Sequence, residues 1–422
     1  MNESFLHYVW MYKKFELFDL RTTSGEKLEI IHCGTLNPDS GPDFNFAKVI
    51  INGTEWAGNV EIHVKSSDWI KHKHDLNPNY DNIVLHIVYE DDQEILSLKL
   101  KKIPTLELKN YIAASLIDNY THLEKKAYSF IPCEKLFTNL LPKLSIGFTE
   151  KQFFCKLEEK QKKISQLLIL KNNDWEAVLA SVLAYSFGLK INAEAFEQIF
   201  METDYKILRK QFSNLTHLES LLFGLCFNLD MYEDEYAEIL KEQFKFLQVK
   251  YRLTKTTINL KFSKLRPANF PTIRLSQLSC ILTQYQNLFS YVIGAKTLQH
   301  YIYILDDVQA SSYWNNHYVF DKISSHNQIK KLSSSQKELI ILNAFLPIKF
   351  AYSKSIGKCM DDEIISIMEE LSPEKNTVIQ KFENLGISFN SALETQAFLH
   401  LYKNQCLNKK CLKCDIGYNI LK

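Results

Sequence analysis

Gly41-Pro42-Asp43-Phe44-Asn45-Phe46-Ala47-Lys48-Val49-Ile50-Ile51-Asn52-Gly53-Thr54-Glu55-Trp56-Ala57-Gly58-Asn59-Val60-Glu61-Ile62-His63-Val64-Lys65 reads as two strands around one turn. Phe44 to Ile51 is apolar enough for a strand, Asn52-Gly53 is the strongest short-range hairpin signal, and Trp56 to Lys65 returns. Alternation puts Glu61, His63 and Lys65 on one face and Val60, Ile62 and Val64 on the other. Asp43, at the mouth of the first strand, is delivered opposite Glu61. Two carboxylates so placed offer the hard oxygen ligands taken by magnesium or manganese, which keep several waters of their own. Such an ion lowers the pKa of a bound water and neutralises charge building on a phosphodiester. The expected catalytic set is therefore Asp43, Glu61, His63 and Lys65. Asp43 and Glu61 are the metal ligands in this reading, and His63 or Lys65 assists the water. The plainer alternative is a Pro-Asp turn serving the backbone and a half-exposed antiparallel strand.

Working outward, Glu3 to Phe15 has a helical stripe (Phe5, Val9, Trp10, Tyr12), and Leu28 to Cys33 is a strand candidate. Ser66-Ser67-Asp68-Trp69 caps a short helix. Asn82 to Tyr89 is a β-branched run for a buried strand, and Leu96 to Lys101 is a possible further one. Beyond Pro104 the pattern becomes helical, with helices expected over 149–170, from 174, and over 215–229, 233–253, 275–293, 335–345 and 392–403. The expected organisation is α+β: a mixed-sheet α/β domain over 1–105 and a large helical domain over 106–422 ending in a cysteine-rich tail.

Net charge is +1 over 422 residues, so polyanion binding needs a local patch. No signal peptide is read at the N-terminus and no apolar run approaches the roughly 20 residues of a membrane helix, so a cytoplasmic protein with no membrane partner is expected. Residues 241–274 hold nine Lys or Arg and one acid. With Phe244, Phe246, Tyr251 and Phe262 interleaved, they form either a phosphate-tracking surface or a solvated helix face. Lys255, Lys261, Lys264 and Arg266 are its candidate substrate contacts. His72 and His74 are further candidates, for phosphate or metal, and His86 reads as a hydrogen-bonded core histidine.

Near the end, Cys406, Cys411 and Cys414 have Cys-x4-Cys-x2-Cys spacing, suited to one zinc ion or an iron-sulfur cluster, and nearby lysines favour the thiolate. The fourth ligand is expected to be Cys133, which follows a proline, with His400 or another histidine as the alternative.

At Pro42-Asp43, Glu61 and His63 the sequence resembles the P-D-(D/E)-x-K nuclease superfamily. The resemblance implies a restriction-endonuclease-like fold and metal-dependent phosphodiester hydrolysis. Asp43 and Glu61 match the acids, His63 falls at the lysine position, and Glu3 falls near an extra glutamate carried by many members. Some members carry an iron-sulfur cluster on one distant and three C-terminal cysteines. Trp10, Gly34, Asn37, Gly58-Asn59, His72-Lys73-His74, Tyr80 and Leu85-His86, with Ile131-Pro132-Cys133 and the terminal cysteines, also resemble a bacterial family common in Bacteroidetes, domain of unknown function 2851. The expected function is nucleic-acid hydrolysis. The alternatives are a non-catalytic nucleic-acid-binding or scaffold protein, and a metal-dependent hydrolase of another substrate.

Overall fold

The Asn52-Gly53 turn has both φ angles positive, 47° and 82°, which is the backbone a two-residue hairpin needs to match the strand twist. Around it the computed structural model describes residues 1–37, 40–125, 129–140, 144, 147–254 and 258–421. The first elements are α1 (Glu3–Met11), β1 (Leu28–His32), β2 (Thr35–Leu36), β3 (Phe44–Ile51), β4 (Thr54–Lys65), α2 (Asp68–Lys71), β5 (Ile83–Glu90), α3 (Leu96–Leu100) and β6 (Thr105–Glu107). They form one mixed sheet in the order β1-β3-β4-β5-β6, with β2 also on β3. The β1, β2, β3 and β4 pairings are antiparallel, and β5 and β6 join in parallel. The parallel step needs a crossover, which α2 and two 3-10 turns, His74–Leu76 and Pro78–Tyr80, supply.

Two local features place the site. Between Phe44 and Ala47 the β3–β4 register slips, and Phe46 takes φ 61° and turns outward. This bulge leaves Phe44 facing Val60 and brings Asp43 beside Glu61. At Gly58 a Cβ would meet Val84 Cγ1 at 2.4 Å and the Asn82 carbonyl at 2.7 Å, so only glycine lets β5 start this close to β4.

The expected strand at Leu96–Lys101 is instead α3. Ile95 and Leu98, three residues apart, are buried with Trp69, Tyr80 and Ile83, whereas Leu96 and Leu100 are exposed. That is a helical period, not an alternating one. The strand completing the sheet is β6, only three residues long.

The chain separates into two compact units. The first is Met1–Ile146 with Lys381–Ile387 and Leu401–Lys422, and the second is Gly147–Gln380 with Ser388–His400. The sheet thus ends close to the expected boundary at residue 105, and its unit continues through α4 (Ala114–Lys125) and α5 (Phe137–Leu140) and takes in the chain's end. The second unit is built of helices such as Phe148–Leu170, Trp175–Phe187, Leu215–Cys226 and Glu235–Tyr251, plus one two-stranded hairpin. Its expected helix over 275–293 is two, Pro271–Gln284 and Leu288–Gly294, because Tyr285 adopts extended backbone between them. Its core runs from Phe153 through Trp314 to Leu393.

Candidate metal centre

β4 carries Glu61 and His63 on one face, and both are buried, His63 to 1 % exposure. The carboxylates at the hairpin mouth are cross-tied: the Asp43 N–H donates to Glu61 Oε2 at 3.1 Å and the Ile62 N–H donates to Asp43 Oδ2 at 2.9 Å. These bonds fix both carboxyl groups and leave Glu61 Oε1 facing a set of imidazoles. Glu61 Oε1 lies 3.2 Å from His74 Nε2 and 3.6 Å from His63 Nε2. His63 Nε2 is in turn 3.2 Å from both His72 Nδ1 and His74 Nε2.

The loop after β4 produces this convergence. Asp68 accepts from the Lys65 N–H, closing the turn into α2, and Lys73 takes the left-handed conformation at φ 58°. That reversal lets His72 and His74, on either side of it, both reach His63. Trp69 stands edge-on to His63, His74 and His86, and Tyr80 covers His74 with ring centroids 3.9 Å apart. Behind the cluster, His63 Nδ1 is 2.9 Å from His86 Nε2, so the core histidine expected on β5 buttresses His63.

Among the described residues, His63, His72 and His74 are the set of three possible ligand side chains whose donor atoms all lie within 4.8 Å of one another. Donors held at 2.0–2.1 Å by a tetrahedral zinc stand about 3.3 Å apart. His63 Nε2 meets that spacing toward His72 and His74, at 3.2 Å each, and Glu61 Oε1 lies 3.2 Å from His74 and 3.6 Å from His63. Burial first, and then the neighbouring histidines, push His63 down to about 2; burial does the same to His86, down to about 3. The rings are therefore neutral near pH 7 and present lone pairs, the form that binds metal. Burial raises the Glu61 carboxyl above its usual range against the opposing pull of His74.

The open side belongs to α1. Glu3 and His7 lie one helical turn apart and so share a face. His7 Nε2 is 3.2 Å from Asp43 Oδ2, yet is buried without a hydrogen-bond partner. Burial, and next the charge of Asp43, raise the Glu3 carboxyl. His7 was not read from the sequence; its signal was the Glu3-x3-His7 spacing. His72, being exposed, opens the cluster to solvent.

Other expected residues lie elsewhere. Lys65 turns to Glu90 and Asp92, at 4.0 and 3.7 Å, and is half exposed. Lys261, Lys264 and Arg266 are exposed in the second unit, where the Lys261 backbone is held by Asn192. Lys255 lies outside the described residues. Much of the basic stretch is engaged: Arg274 is buried, Lys241 pairs with Glu238, and Lys250 lies over Phe246 and Tyr251. His400 belongs to the second unit, with Nδ1 2.9 Å from Gln152 Oε1. Cys133, Cys406, Cys411 and Cys414 all lie in the first unit and line one small cavity.

A family model described as "Protein of unknown function (DUF2851)" matches residues 3–377, a span that includes every member of the histidine cluster and stops before the last three cysteines. No curated protein and no solved structure matches the chain. No helix among the described residues is long and apolar enough to cross a membrane.

Proposed function

The chain belongs to the DUF2851 family, whose description assigns no chemistry; from the chain's own residues we propose a metal-dependent hydrolase acting on phosphodiester bonds of nucleic acid. The observation that carries this reading is the convergence of His63, His72 and His74, whose donor atoms lie within 4.8 Å of one another, with Glu61 Oε1 3.2 Å from His74 Nε2 and 3.6 Å from His63 Nε2. Three imidazoles and a carboxylate suit zinc or another first-row transition metal better than magnesium, which prefers oxygen. His63 acts here as a ligand rather than the water's base, since both its nitrogens face other rings. Its Nδ1 contact with His86 is the outer support that metal-bound histidines usually have. An ion held by these residues would supply a water of lowered pKa, which the exposed His72 side leaves room for, and Asp43, beside His7, is placed to accept its proton. The choice of a phosphodiester rests on the order of one helix, four strands, a short helix and a further strand, with Asp43 at the mouth of β3 and Glu61 in β4.

The burial of Glu61, His63 and His74 favours a second reading, in which four protein ligands close a structural site. One experiment separates the two. Metal content is measured for the wild type and for His63→Ala, His74→Ala and His86→Gln. The same proteins, with Asp43→Ala, are assayed on DNA, RNA and a bis-aryl phosphate with added zinc, manganese or magnesium. The hydrolase reading expects bound transition metal in the wild type, lost with His63 or His74 and about 10- to 100-fold weaker with His86→Gln, and hydrolysis that Asp43→Ala loses while keeping the metal. Metal retained with no hydrolysis of any substrate supports the structural site. Absence of bound metal sinks both.

A further inference from the structure

The chain has nine cysteines, and four of them, from segments more than 270 residues apart, line one cavity together with Leu123, Gln405 and Gly417. Each is set there by its local backbone. Cys133 occupies the turn before α5, where its carbonyl accepts from the Leu136 N–H at 2.9 Å. Cys406 closes the wide turn Tyr402–Cys406. Lys409, at φ 49°, then reverses the chain, with its N–H on the Cys406 carbonyl at 3.1 Å. Cys411 opens the 3-10 turn Cys411–Lys413, and Cys414 starts the last helix, Asp415–Ile420.

Two observations show that the arrangement is specific. At Gly417 a Cβ would fall 2.0 Å from the Cys411 carbonyl oxygen, so a glycine is required for the last helix to lie against the Cys411 turn. Gln405 Oε1, in the same lining, is buried without a hydrogen-bond partner. The thiols also feel one another: burial first, and then Cys414 and Cys411, push Cys133 up to about 12, and Cys406 is raised by burial and by the other three. Four cysteines lining one cavity, Cys414 buried and the other three half-buried, with Lys409, Lys410 and Lys413 on the same short segment, have no packing rationale that smaller apolar residues would not serve better.

We propose that Cys133, Cys406, Cys411 and Cys414 form a four-thiolate centre for a thiophilic metal, zinc or an iron-sulfur cluster, which fastens the C-terminal segment to the turn before α5. The role is structural and independent of the histidine centre. Thiolates on a single zinc stand about 3.8 Å apart, whereas among the described residues only His63, His72 and His74 bring three such donors within 4.8 Å of one another. No three of the four sulfurs come that close, so a single zinc would draw them together, whereas a cluster, whose inorganic core lies between its cysteines, needs them further apart.

The test uses the full chain purified with and without oxygen, in a His63→Ala background so that the histidine centre contributes no metal. Iron, acid-labile sulfide and zinc are counted per chain and the visible spectrum is recorded. About one centre per chain is expected. It should persist in Cys359→Ser, an exposed cysteine outside the cavity, and be lost in Cys133→Ser and Cys414→Ser. Iron with sulfide and visible absorption identifies a cluster, and colourless protein with zinc identifies a single ion. If the serine variants do not fold, chelation of the parent protein should expose the four thiols to a thiol reagent. A parent protein free of both metals in either preparation overturns the proposal. So does metal retained in both serine variants, or thiol reactivity unchanged by chelation.

Discussion

Glu219 keeps a carboxyl group inside the helical core at 1 % exposure, where it accepts from the hydroxyls of Ser276 and Tyr236. Burial outweighs those hydrogen bonds and pushes the group up to about 7 from its usual 4.5. Folding thus favours the protonated form, so the stabilisation is whole below pH 4.5 and is lost as pH rises through about 7. The loss amounts to about 3 kcal/mol at most. Glu219→Gln, uncharged throughout, should be less dependent on pH: the stability of the wild type relative to the variant is expected to fall between pH 5 and 8 in denaturant titrations. A difference that stays level across that range would show that the carboxyl is not held protonated. The histidine cluster obeys the same physics with the opposite charge, since burial drives His63 and His86 to the neutral form. Single residues of this kind were only partly legible in the sequence. Glu61 and His63 stood out because a strand gathers alternate side chains. That His72 and His74 would meet His63 depended on the left-handed turn at Lys73, a conformation a lysine adopts only when its surroundings impose it.

Among the elements, the hairpin was legible because Asn-Gly and strict alternation act within a few residues of one another. α3 and β6 were not, because short apolar runs fit either period and tertiary contacts decide between them. The same limit governs helix pairs. Helices Leu215–Cys226 and Glu235–Tyr251 were readable as helices, but their closest approach was not. At Gly224 a Cβ would meet the Phe244 ring at 2.1–2.5 Å, so this glycine sits where an aromatic ring lies flat against a helix backbone. Gly224→Ala gains helix propensity of about 1 kcal/mol but must displace a buried phenyl ring, and overpacking of that kind costs about 1–3 kcal/mol or more. The clash is with Cγ and both Cδ atoms, the end of the ring nearest its own backbone, and Phe244 is itself buried, so the loss should win. The variant is expected to unfold at lower denaturant, with Phe244→Leu in the same chain recovering part of the difference. An unchanged midpoint in the single variant would mean that the helices separate freely here.

At the scale of the whole chain, the first unit is discontinuous: its sheet is made by the first quarter of the sequence and its closing segment by the last 22 residues, Leu401–Lys422. No periodicity in the sequence announces such a return, because the contacts join residues hundreds of positions apart. They are nonetheless substantial. Tyr418 lies edge-on to Tyr12 at 5.7 Å beneath the Lys14 ammonium. Asn119 Nδ2 donates to the Ile420 carbonyl at 3.2 Å, and Phe130 stacks on Tyr402 at 4.8 Å. Ile416, Ile420 and Leu421 are buried, and each contributes about 1.5–3 kcal/mol by leaving water. Their sum is comparable to the 5–15 kcal/mol that holds a typical domain together. A chain ending at His400 should therefore keep its helical second unit and lose most of the stability of the first. Hydrogen exchange followed by fragment mass analysis is expected to show faster exchange across β3, β4 and β5 in the truncated chain. If those strands stayed as protected as in the full chain, the sheet would be self-sufficient and Leu401–Lys422 an appendage. If protection is lost, the histidine cluster, which hangs on β4 and the loop behind it, should lose with the tail the metal binding proposed for it, although no residue of the tail belongs to that cluster.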